Sequence, residues 1–310
     1  MGFSILLLLL LPPVISIFYH QQTPSSQHQQ PIEEAVTKSA GNVDDSSLLE
    51  SGRASNLRAI PNNAEIRIVS YNIRWRSGDD LNELIKLFRN DAELGNPAIM
   101  ALQEVDRKKK RSGNTNTAKL LAEELGLYYA WAAPPTAKTG EEEETGVAIL
   151  SAYPLADVRR IVLPHEGPGK RRRVALGASI KAGDVEIRVY SAHAETRISM
   201  DKKIDQLSAV LEDLKSHNQQ TPAIIMGDFN TWQPDAAPKT IKLFSDAGFV
   251  TPFGSDKTFS QKVLLVPIDL RLDWIWMRGF EALSHGIDRE VTVSDHWPLW
   301  TNVKLQSLKR

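Results

Sequence analysis

The pattern of hydrophobic and polar positions changes period repeatedly after residue 60. Alternation with a period of two over residues 65–70 is typical of a half-buried strand. Apolar residues spaced about 3.6 apart over residues 79–94 predict a helix with one apolar stripe. The same spacing predicts helices over 114–125 and 200–217. Short apolar or alternating runs predict strands over 97–102, 147–151, 174–180, 185–192, 223–226, 272–277 and 297–303.

The order of these predicted elements indicates the fold class. Helices and strands take turns in the first part of the folded region, whereas strands dominate the later part. Such an order favours an α/β (α+β) protein in which two sheets pack face to face and helices cover them from outside. The continuously apolar run over 223–226 is expected at the centre of a sheet that is covered on both faces.

The first 60 residues predict two segments that precede the folded part. Residues 1–18 are largely apolar but shorter than the roughly 20 residues of a membrane-spanning helix, so they are interpreted as a signal peptide or a membrane anchor. Residues 19–60 are rich in Gln, Ser, Pro and Asn, which predicts a disordered linker. A single domain is then expected over 61–310, exported and either secreted or membrane-anchored.

Composition and charge exclude several classes of protein. With 42% hydrophobic and 24% charged residues the chain has ordinary globular usage. Its net charge of -1 lacks the broad basic field of a protein that binds nucleic-acid duplexes non-specifically. Because the chain has no cysteine, a disulfide scaffold, a cysteine-ligated zinc site and a thiol nucleophile are all excluded.

Polar side chains collect where the predicted strands end. Strand ends at one rim of a layered sheet protein meet in space, and residues there serve function more often than residues at strand middles. The groups are Tyr71-Asn72, Gln103-Glu104, His193, Gly227-Asp228-Phe229-Asn230, Asp273 and Ser294-Asp295-His296. All their candidate ligand atoms are oxygens or imidazole nitrogens, which suit Mg²⁺ or Mn²⁺ better than zinc. Glu104 with Asn72 nearby would provide the sparse protein coordination that Mg²⁺ prefers.

The ordered blocks YN, QE, AH, GDFN, LDWI and SDH resemble those of the endonuclease/exonuclease/phosphatase superfamily, also called deoxyribonuclease I-like. The resemblance runs from about Glu65 to Lys304, and six blocks in the right order are far more specific than any one of them. It implies a four-layer α/β/β/α sandwich of two mixed sheets that hydrolyses phosphoesters with Mg²⁺ or Mn²⁺. A cleaved or anchoring N-terminus would place this hydrolase outside the cytoplasm.

The resemblance also implies roles for individual residues. Glu104 would be the metal ligand, with Asn72 and Asp295 beside the metal. Asp228 and Asn230 would orient the nucleophile and a phosphate oxygen. His296 would act on the attacking water or the phosphorane, with Asp273 accepting its other ring hydrogen. His193 would contact the phosphate and assist the leaving group. Metal and imidazole groups together would neutralise the charge that develops on phosphorus.

The sequence departs from the family pattern in four places. The usual Asn-Thr-His-Leu is Ser191–Ala194 here, so the histidine is retained without its customary neighbours. Residues 146–148 read Gly-Val-Ala where Gly-Asn-Ala is common, and Ala98 replaces a usual aspartate. Tyr153 and Tyr190 are weak candidates for a phosphate-contacting tyrosine. The departures leave the acid that protonates the leaving group unassigned.

Two basic runs and several alternatives for function accompany this hypothesis. Lys108–Arg111 and Lys170–Arg173 are expected to be solvated loops, although Arg173 precedes a strand and could touch substrate. The expected activity is that of a phosphodiesterase or nuclease acting as a monomer on nucleic acid, phospholipid or a small phosphate ester. A sphingomyelinase-like enzyme, an inositol-phosphate phosphatase and a catalytically inactive binding module on the same fold are the alternatives.

Overall fold

The structure is a computed structural model of the 310-residue chain. It describes residues 45–61, 65–135, 144–263 and 266–306. The predicted segment 1–18, and residues 19–44 of the predicted linker, lie outside the described residues. Within the described ranges no helix is both long enough and apolar enough to cross a bilayer.

The described residues form four α-helices and fourteen strands. The helices are α1 (Gly78–Asn90), α2 (Thr117–Leu125), α3 (Met200–Lys215) and α4 (Ala236–Asp246). The first eight strands are β1 (Leu49–Arg53), β2 (Ile66–Asn72), β3 (Ile99–Arg107), β4 (Tyr128–Ala132), β5 (Glu144–Ser151), β6 (Ala156–Val162), β7 (Val174–Ala182) and β8 (Val185–His193). The others are β9 (Ala223–Asp228), β10 (Phe259–Val263), β11 (Val266–Leu270), β12 (Asp273–Arg278), β13 (Phe280–Ile287) and β14 (Leu299–Leu305).

Two large mixed sheets make up the main body, which comprises the described residues within 45–260 and 269–306. The first has seven strands in the order β1-β4-β5-β3-β2-β14-β13, and the second has five in the order β12-β9-β8-β7-β6. In each sheet one neighbouring pair is parallel, β2 with β3 and β8 with β9, and the other pairs are antiparallel. Strands β10 and β11 pair with each other as a separate two-stranded sheet.

The apolar residues form three layers of core, which define a four-layer sandwich. Strand residues of both sheets, such as Ile68 and Ile224, share one cluster that lies between the sheets. The other face of the seven-stranded sheet packs against α1 and α2, and the other face of the five-stranded sheet packs against α3 and α4. Alternation along a strand produces this division, since Ile224 faces the central cluster and Ile225 the outer one. The predicted fold class is confirmed.

Local capping explains where two helices depart from their predicted bounds. Helix α2 begins at Thr117 rather than at residue 114, because the Asn116 side chain accepts a hydrogen bond from Lys119 N and so caps the first turn. Helix α1 ends at Asn90, before residue 94, because the Asp91 side chain accepts hydrogen bonds from the backbone of residues 93 and 94. These side-chain bonds compete with continuation of the helix.

Residues 45–60 require a correction to the predicted linker, since they belong to the folded part. Strand β1 pairs antiparallel with β4, and Leu48 and Ala54 are buried beside it. The Arg107 guanidinium also donates to the carbonyl of Ser47 and to Glu50. The polar composition of this segment conceals the strand, because an edge strand needs few apolar residues once its neighbour supplies hydrogen-bonding partners.

Candidate active site

The two parallel strand pairs carry four of the predicted site residues at their carboxyl ends. Asn72 ends β2, and Glu104 follows Gln103, the last residue of β3 that pairs with β2 in the first sheet. His193 and Asp228 end β8 and β9 in the second sheet and are register partners. Because these ends lie at the same rim, the side chains of the two sheets face one another across the sandwich.

The Asn72 side-chain amide connects residues of the two sheets. Its Nδ2 atom donates to Asp228 Oδ2 at 3.1 Å and to Glu104 Oε1 at 3.4 Å. The same nitrogen lies 3.5 Å from His296 Nε2. Three residues that are far apart in sequence therefore surround one amide group, which brings the predicted residues into a single pocket.

Glu104 occupies a break in the regular pairing of β3. The register between β3 and β5 shifts between Gln103 and Val105, and Glu104 has a positive φ of 55°. A left-handed residue at a β-bulge redirects its side chain away from the strand's ordinary alternation. The carbonyl of Glu104 then accepts a hydrogen bond from Trp75 N at 2.9 Å, which ties the bulge to the segment after β2.

His296 belongs to a chain of hydrogen bonds with Asp273 and Thr258. His296 Nδ1 lies 2.8 Å from Asp273 Oδ2, the first residue of β12. The hydroxyl of Thr258 donates to the same carboxylate oxygen at 2.8 Å and accepts from the backbone N–H of Asp273 at 3.0 Å. The Phe259 ring packs edge-on against the imidazole at 4.9 Å between centroids. Asp273 therefore fixes the hydrogen on Nδ1 and leaves Nε2 facing the pocket.

Ser294 and Asp295 connect the histidine segment to the first sheet. The Ser294 hydroxyl donates to the Asn72 carbonyl at 2.8 Å. The Asp295 carboxylate pairs with the Arg74 guanidinium at 3.0 Å. The described partners of the Asp295 side chain are thus Arg74 and Ser294, rather than the side chains of Asn72 and Glu104.

Asp228 and Asn230 are held in a tight turn after β9. Asn230 N donates to Asp228 Oδ1 at 2.9 Å, and the Asn230 side-chain amide donates to the Ala194 carbonyl at 3.0 Å. Asn230 has a positive φ of 53°. Gly227, immediately before Asp228, has a φ of 142°, and a Cβ there would lie 1.9 Å from the Ala192 carbonyl oxygen. Only glycine permits β9 to approach β8 so closely at this point.

His193 faces a guanidinium group on one side and a carboxylate on the other. Arg173 Nη1 lies 3.3 Å from His193 Nδ1, and His193 Nε2 lies 3.5 Å from Asp228 Oδ2. Arg173 and Arg171 both pair with Glu195, whose side chain is fully buried. Because a guanidinium can only donate, Nδ1 must accept and the ring hydrogen resides on Nε2.

The electrostatic environment separates the two histidines. Burial, reinforced by Arg173, holds the pKa of His193 well below its usual value, so this imidazole is neutral. Burial also opposes a charge on His296, but Asp273 and Asp228 outweigh it and raise the pKa of His296. Burial raises the pKa of Asp228, and the nearby Asp273 and Glu104 carboxylates raise it further. One neutral and one cationic imidazole therefore flank a pocket with several carboxylates.

The residues of this pocket fit a hard divalent cation. All its candidate ligand atoms are carboxylate or amide oxygens and imidazole nitrogens, with no sulfur. Burial raises the pKa of Asp228, the Asp273 and Glu104 carboxylates add to this effect, and a bound cation would oppose it. Ligand atoms of Asp228, Asp273 and His296, all three buried, lie within 4.8 Å of one another.

Other residues singled out from the sequence lie outside this pocket or have structural partners. Tyr153 lies in the apolar cluster between the sheets, and the Tyr190 hydroxyl donates to Asp213 at 2.7 Å rather than to a residue of the pocket. Arg111 of the first basic run forms a two-pronged ion pair with Asp106 and lies 4.2 Å from the centre of the Trp75 ring.

Thr258, Glu195 and Lys203 support the site, yet the sequence did not indicate them. Each acts through a partner from a different element: Thr258 through Asp273, Glu195 through Arg173, and Lys203 through the Asn230 carbonyl. The nearest signal in the sequence was the position of Glu195, two residues after His193.

A four-layer sandwich with carboxylate, amide and imidazole groups at one rim defines a class of phosphoester-processing proteins. The sequence model of the Endonuclease/Exonuclease/phosphatase family matches residues 69–296, so the chain belongs to this family. The family includes nucleases, phosphodiesterases and phosphatases, which are hydrolases that generally use a divalent metal. A search of curated proteins finds no significant match.

Solved structures share the fold at low sequence identity. An endonuclease/exonuclease/phosphatase from Beutenbergia cavernae DSM 12333 is 19% identical with a TM-score of 0.63, and the match covers 79% of this chain and 72% of that one. The human Nocturnin catalytic domain with bound sulfate is 17% identical with a TM-score of 0.61, over 83% and 96% of the chains. D. rerio TDP2 complexed with a single-strand DNA product is 15% identical with a TM-score of 0.60, over 78% and 99%.

Proposed function

We propose that the chain is a Mg²⁺-dependent phosphodiesterase that attacks phosphorus with a histidine-assisted water. The observation that carries this proposal is the position of Asn72 Nδ2, which lies within 3.5 Å of atoms from Glu104, Asp228 and His296. An inactive binding module would have no need to keep these buried polar groups together, because burying them costs stability unless each is well paired.

The metal would be held by Glu104 with Asn72 and Asp295, and Mn²⁺ would suit the same oxygen atoms. Bound there, the ion supplies neutralisation of the phosphate charge. Since Asp295 pairs with Arg74, its participation requires that this ion pair open or be shared.

The chain's own residues account for the remaining chemistry. Asp228, whose pKa is raised, accepts the proton of the attacking water as the water oxygen bonds to phosphorus. The ester bond breaks with its electron pair on the leaving oxygen, which departs as an alkoxide and takes up a proton from solvent. His193 is neutral and donates its Nε2 hydrogen to a phosphate oxygen. His296 is oriented by Asp273 and stabilises the negative charge of the phosphorane.

Hydrolysis of bis(p-nitrophenyl) phosphate and of plasmid DNA by the purified full chain tests this function. Turnover is expected with Mg²⁺ or Mn²⁺ and should disappear in EDTA. Asp228→Ala and His296→Ala should each abolish it while the circular dichroism spectrum is retained. Lys242→Ala serves as a control, because Lys242 is a largely exposed residue of α4. Unchanged turnover in both site variants would overturn the assignment.

A lipid phosphodiester is a second candidate substrate, and one observation favours it. Trp232 lies two residues after Asn230 in the segment that follows β9, and its side chain is 47% exposed. A large exposed aromatic side chain beside a hydrolytic site suits a lipid surface. Parallel assays on DNA, RNA, sphingomyelin and phosphoinositides, with and without EDTA, distinguish the candidates.

The proposal for location concerns the N-terminus. We infer export from the apolar run Phe3–Leu11, with the chain either released or retained by that segment. Mass spectrometry of protein recovered from the exported fraction would measure whether the first 18 residues are removed. Recovery only from the cytoplasm, with the N-terminus intact, would contradict it.

A further inference from the structure

Lys203 is a fully buried lysine that contacts the turn carrying Asp228 and Asn230. It lies in the first turns of α3 and has no solvent-exposed surface, although lysine is among the residues least often buried. Its neighbour Lys202 is exposed on the same helix. Burial of Lys203 is therefore specific to its position and not a property of this helix.

The ammonium group of Lys203 is satisfied by neutral acceptors. Its Nζ donates to the Asn230 carbonyl at 2.5 Å and to Gln233 Oε1 at 3.0 Å. It also lies 5.4 Å from the centre of the Trp232 ring. Among the described residues no carboxylate forms a direct ion pair with it, although the charges of Asp228 and Glu195 favour its protonated form. The direct hydrogen-bonding partners of the Lys203 ammonium group therefore belong to the turn and the segment that follows it.

The contacted carbonyl belongs to the strained residue of that turn. Asn230 has a left-handed backbone, and its N–H donates to the Asp228 carboxylate while its side chain donates to Ala194. For a residue other than glycine such a conformation is unfavourable, so surrounding contacts must hold it. Lys203 supplies a contact of this kind from α3.

We propose that Lys203 is a positioning residue, whose ammonium group holds the Asn230 carbonyl and thereby aims Asp228 and Asn230 at the reacting phosphate. This inference rests on the proposed phosphodiesterase function. Lys203 contacts neither substrate nor metal in this scheme, and it acts only through the turn.

The energetic setting supports a role beyond folding. Burial lowers the pKa of Lys203 to about 8, which shows that the charged form is unfavourable where it lies. A buried apolar side chain of similar length would avoid that penalty. Keeping this charge beside the catalytic turn lowers the stability of the fold. Such a loss of stability is common at functional sites, where activity depends on the geometry of the side chains.

Three substitutions separate geometry, charge and hydrogen bonding at this position. Lys203→Met removes both donor and charge, Lys203→Gln keeps a donor, and Lys203→Arg keeps both. In the full chain we expect kcat of the methionine variant to fall about 100-fold, the effect of a misplacement near 1 Å, with little change in KM. The glutamine variant should be intermediate, and arginine should restore most of the activity. Lys202→Met is the matched control and should behave as the unmodified chain.

Thermal unfolding distinguishes a positioning role from a merely structural one, because a structural role would lower the melting temperature and kcat together. The methionine variant should keep or raise the melting temperature while its kcat falls, because it no longer buries a charge. A kcat that falls only in proportion to the folded fraction, or does not fall, would overturn the proposal. If Lys203→Met does not fold, equal kcat values for the glutamine and arginine variants would overturn it instead.

The backbone amide resonance of Asn230 tests the turn without turnover. It should shift or broaden in Lys203→Met and recover in Lys203→Arg, even if the unmodified chain hydrolyses none of the phosphodiesters offered. An unaltered resonance in the methionine variant would overturn the positioning role. Absence of hydrolysis by the unmodified chain would count against the proposed function alone.

Discussion

Arg173 directs a guanidinium N–H at Nδ1 of His193 across 3.3 Å, so a cation rather than a carboxylate orients this histidine. The ring must therefore accept at Nδ1 and carry its hydrogen on Nε2, toward Asp228. The ion pair with Glu195 holds Arg173 in place. This arrangement makes His193 a neutral hydrogen-bond donor, in contrast to His296, which donates from Nδ1 to Asp273.

Arg173→Ala should change the pH dependence of hydrolysis. Burial and the Arg173 charge both lower the pKa of His193, so removal of the guanidinium raises that pKa toward its usual value of 6.5. The neutral imidazole is then lost as the pH falls through that region, and activity should decline on the acid side at a higher pH than in the unmodified chain. We also expect kcat to fall about 100-fold, the lower end of a positioned acid–base contribution.

The pH–rate profile between pH 5 and 8 measures this effect. Arg172→Ala is the matched control, because Arg172 pairs with Glu166 and makes no described contact with His193. Superimposable pH–rate profiles for Arg173→Ala and the unmodified chain would show that Arg173 does not lower the pKa of His193.

Asp273→Asn should lower kcat strongly with little loss of stability. The amide matches the carboxylate in size but cannot stabilise a cationic His296, and it can present an N–H to Nδ1 and reverse the tautomer. We expect a loss of at least about 100-fold in kcat. Thr258→Val removes only the hydroxyl that donates to Asp273 and should cost about 10-fold. Steady-state kinetics on bis(p-nitrophenyl) phosphate distinguish the two, and a larger effect from Thr258→Val would contradict this ranking.

Gly227→Ala should destabilise the second sheet at the site. The added Cβ would lie 1.9 Å from the Ala192 carbonyl oxygen, and the φ of 142° is itself unfavourable for alanine. A loss of more than about 3 kcal/mol in the free energy of unfolding is expected. Gly254→Ala is the control, since its Cβ would meet no atom within 4 Å and its effect should stay within about 0.5 kcal/mol. Equal denaturation midpoints for both variants would exclude this account.

The buried Lys203 predicts a stability difference that depends on pH. Its pKa is lowered from 10.5 to about 8 in the folded state, so the unfolded chain binds more protons between these values and stability rises with pH there. Relative to Lys203→Met, the unmodified chain should gain about 3 kcal/mol as the pH rises from 8 to 10.5 and little below pH 8. Urea denaturation of both proteins at several pH values measures the difference. A difference in the free energy of unfolding between the two proteins that stays constant with pH would show that folding does not change the pKa of Lys203.

Edge strands show the limit of a sequence-based interpretation of the fold. Strands β1, β4, β6, β10, β11 and β13 were not predicted. Of these, β1, β6 and β13 lie at sheet edges and carry polar or charged residues in much of their length. The central strands β8 and β9 were predicted close to their observed bounds, whereas β3 runs to Arg107, five residues beyond its predicted end. Burial on both faces imposes a continuous apolar run on a central strand, and that signal is local to its own residues.

The amino-acid sequence by itself determined the chemical groups of the site, since Asn72, Glu104, Asp228 and His296 could be recognised by residue type, order and position at strand ends. Only the tertiary structure decided how they are aimed. The bulge at Glu104, the guanidinium on His193 and the ammonium behind Asn230 all depend on contacts between distant elements. Residue periodicity records which face of one element is buried, whereas such contacts depend on register and packing between elements, which no local pattern specifies.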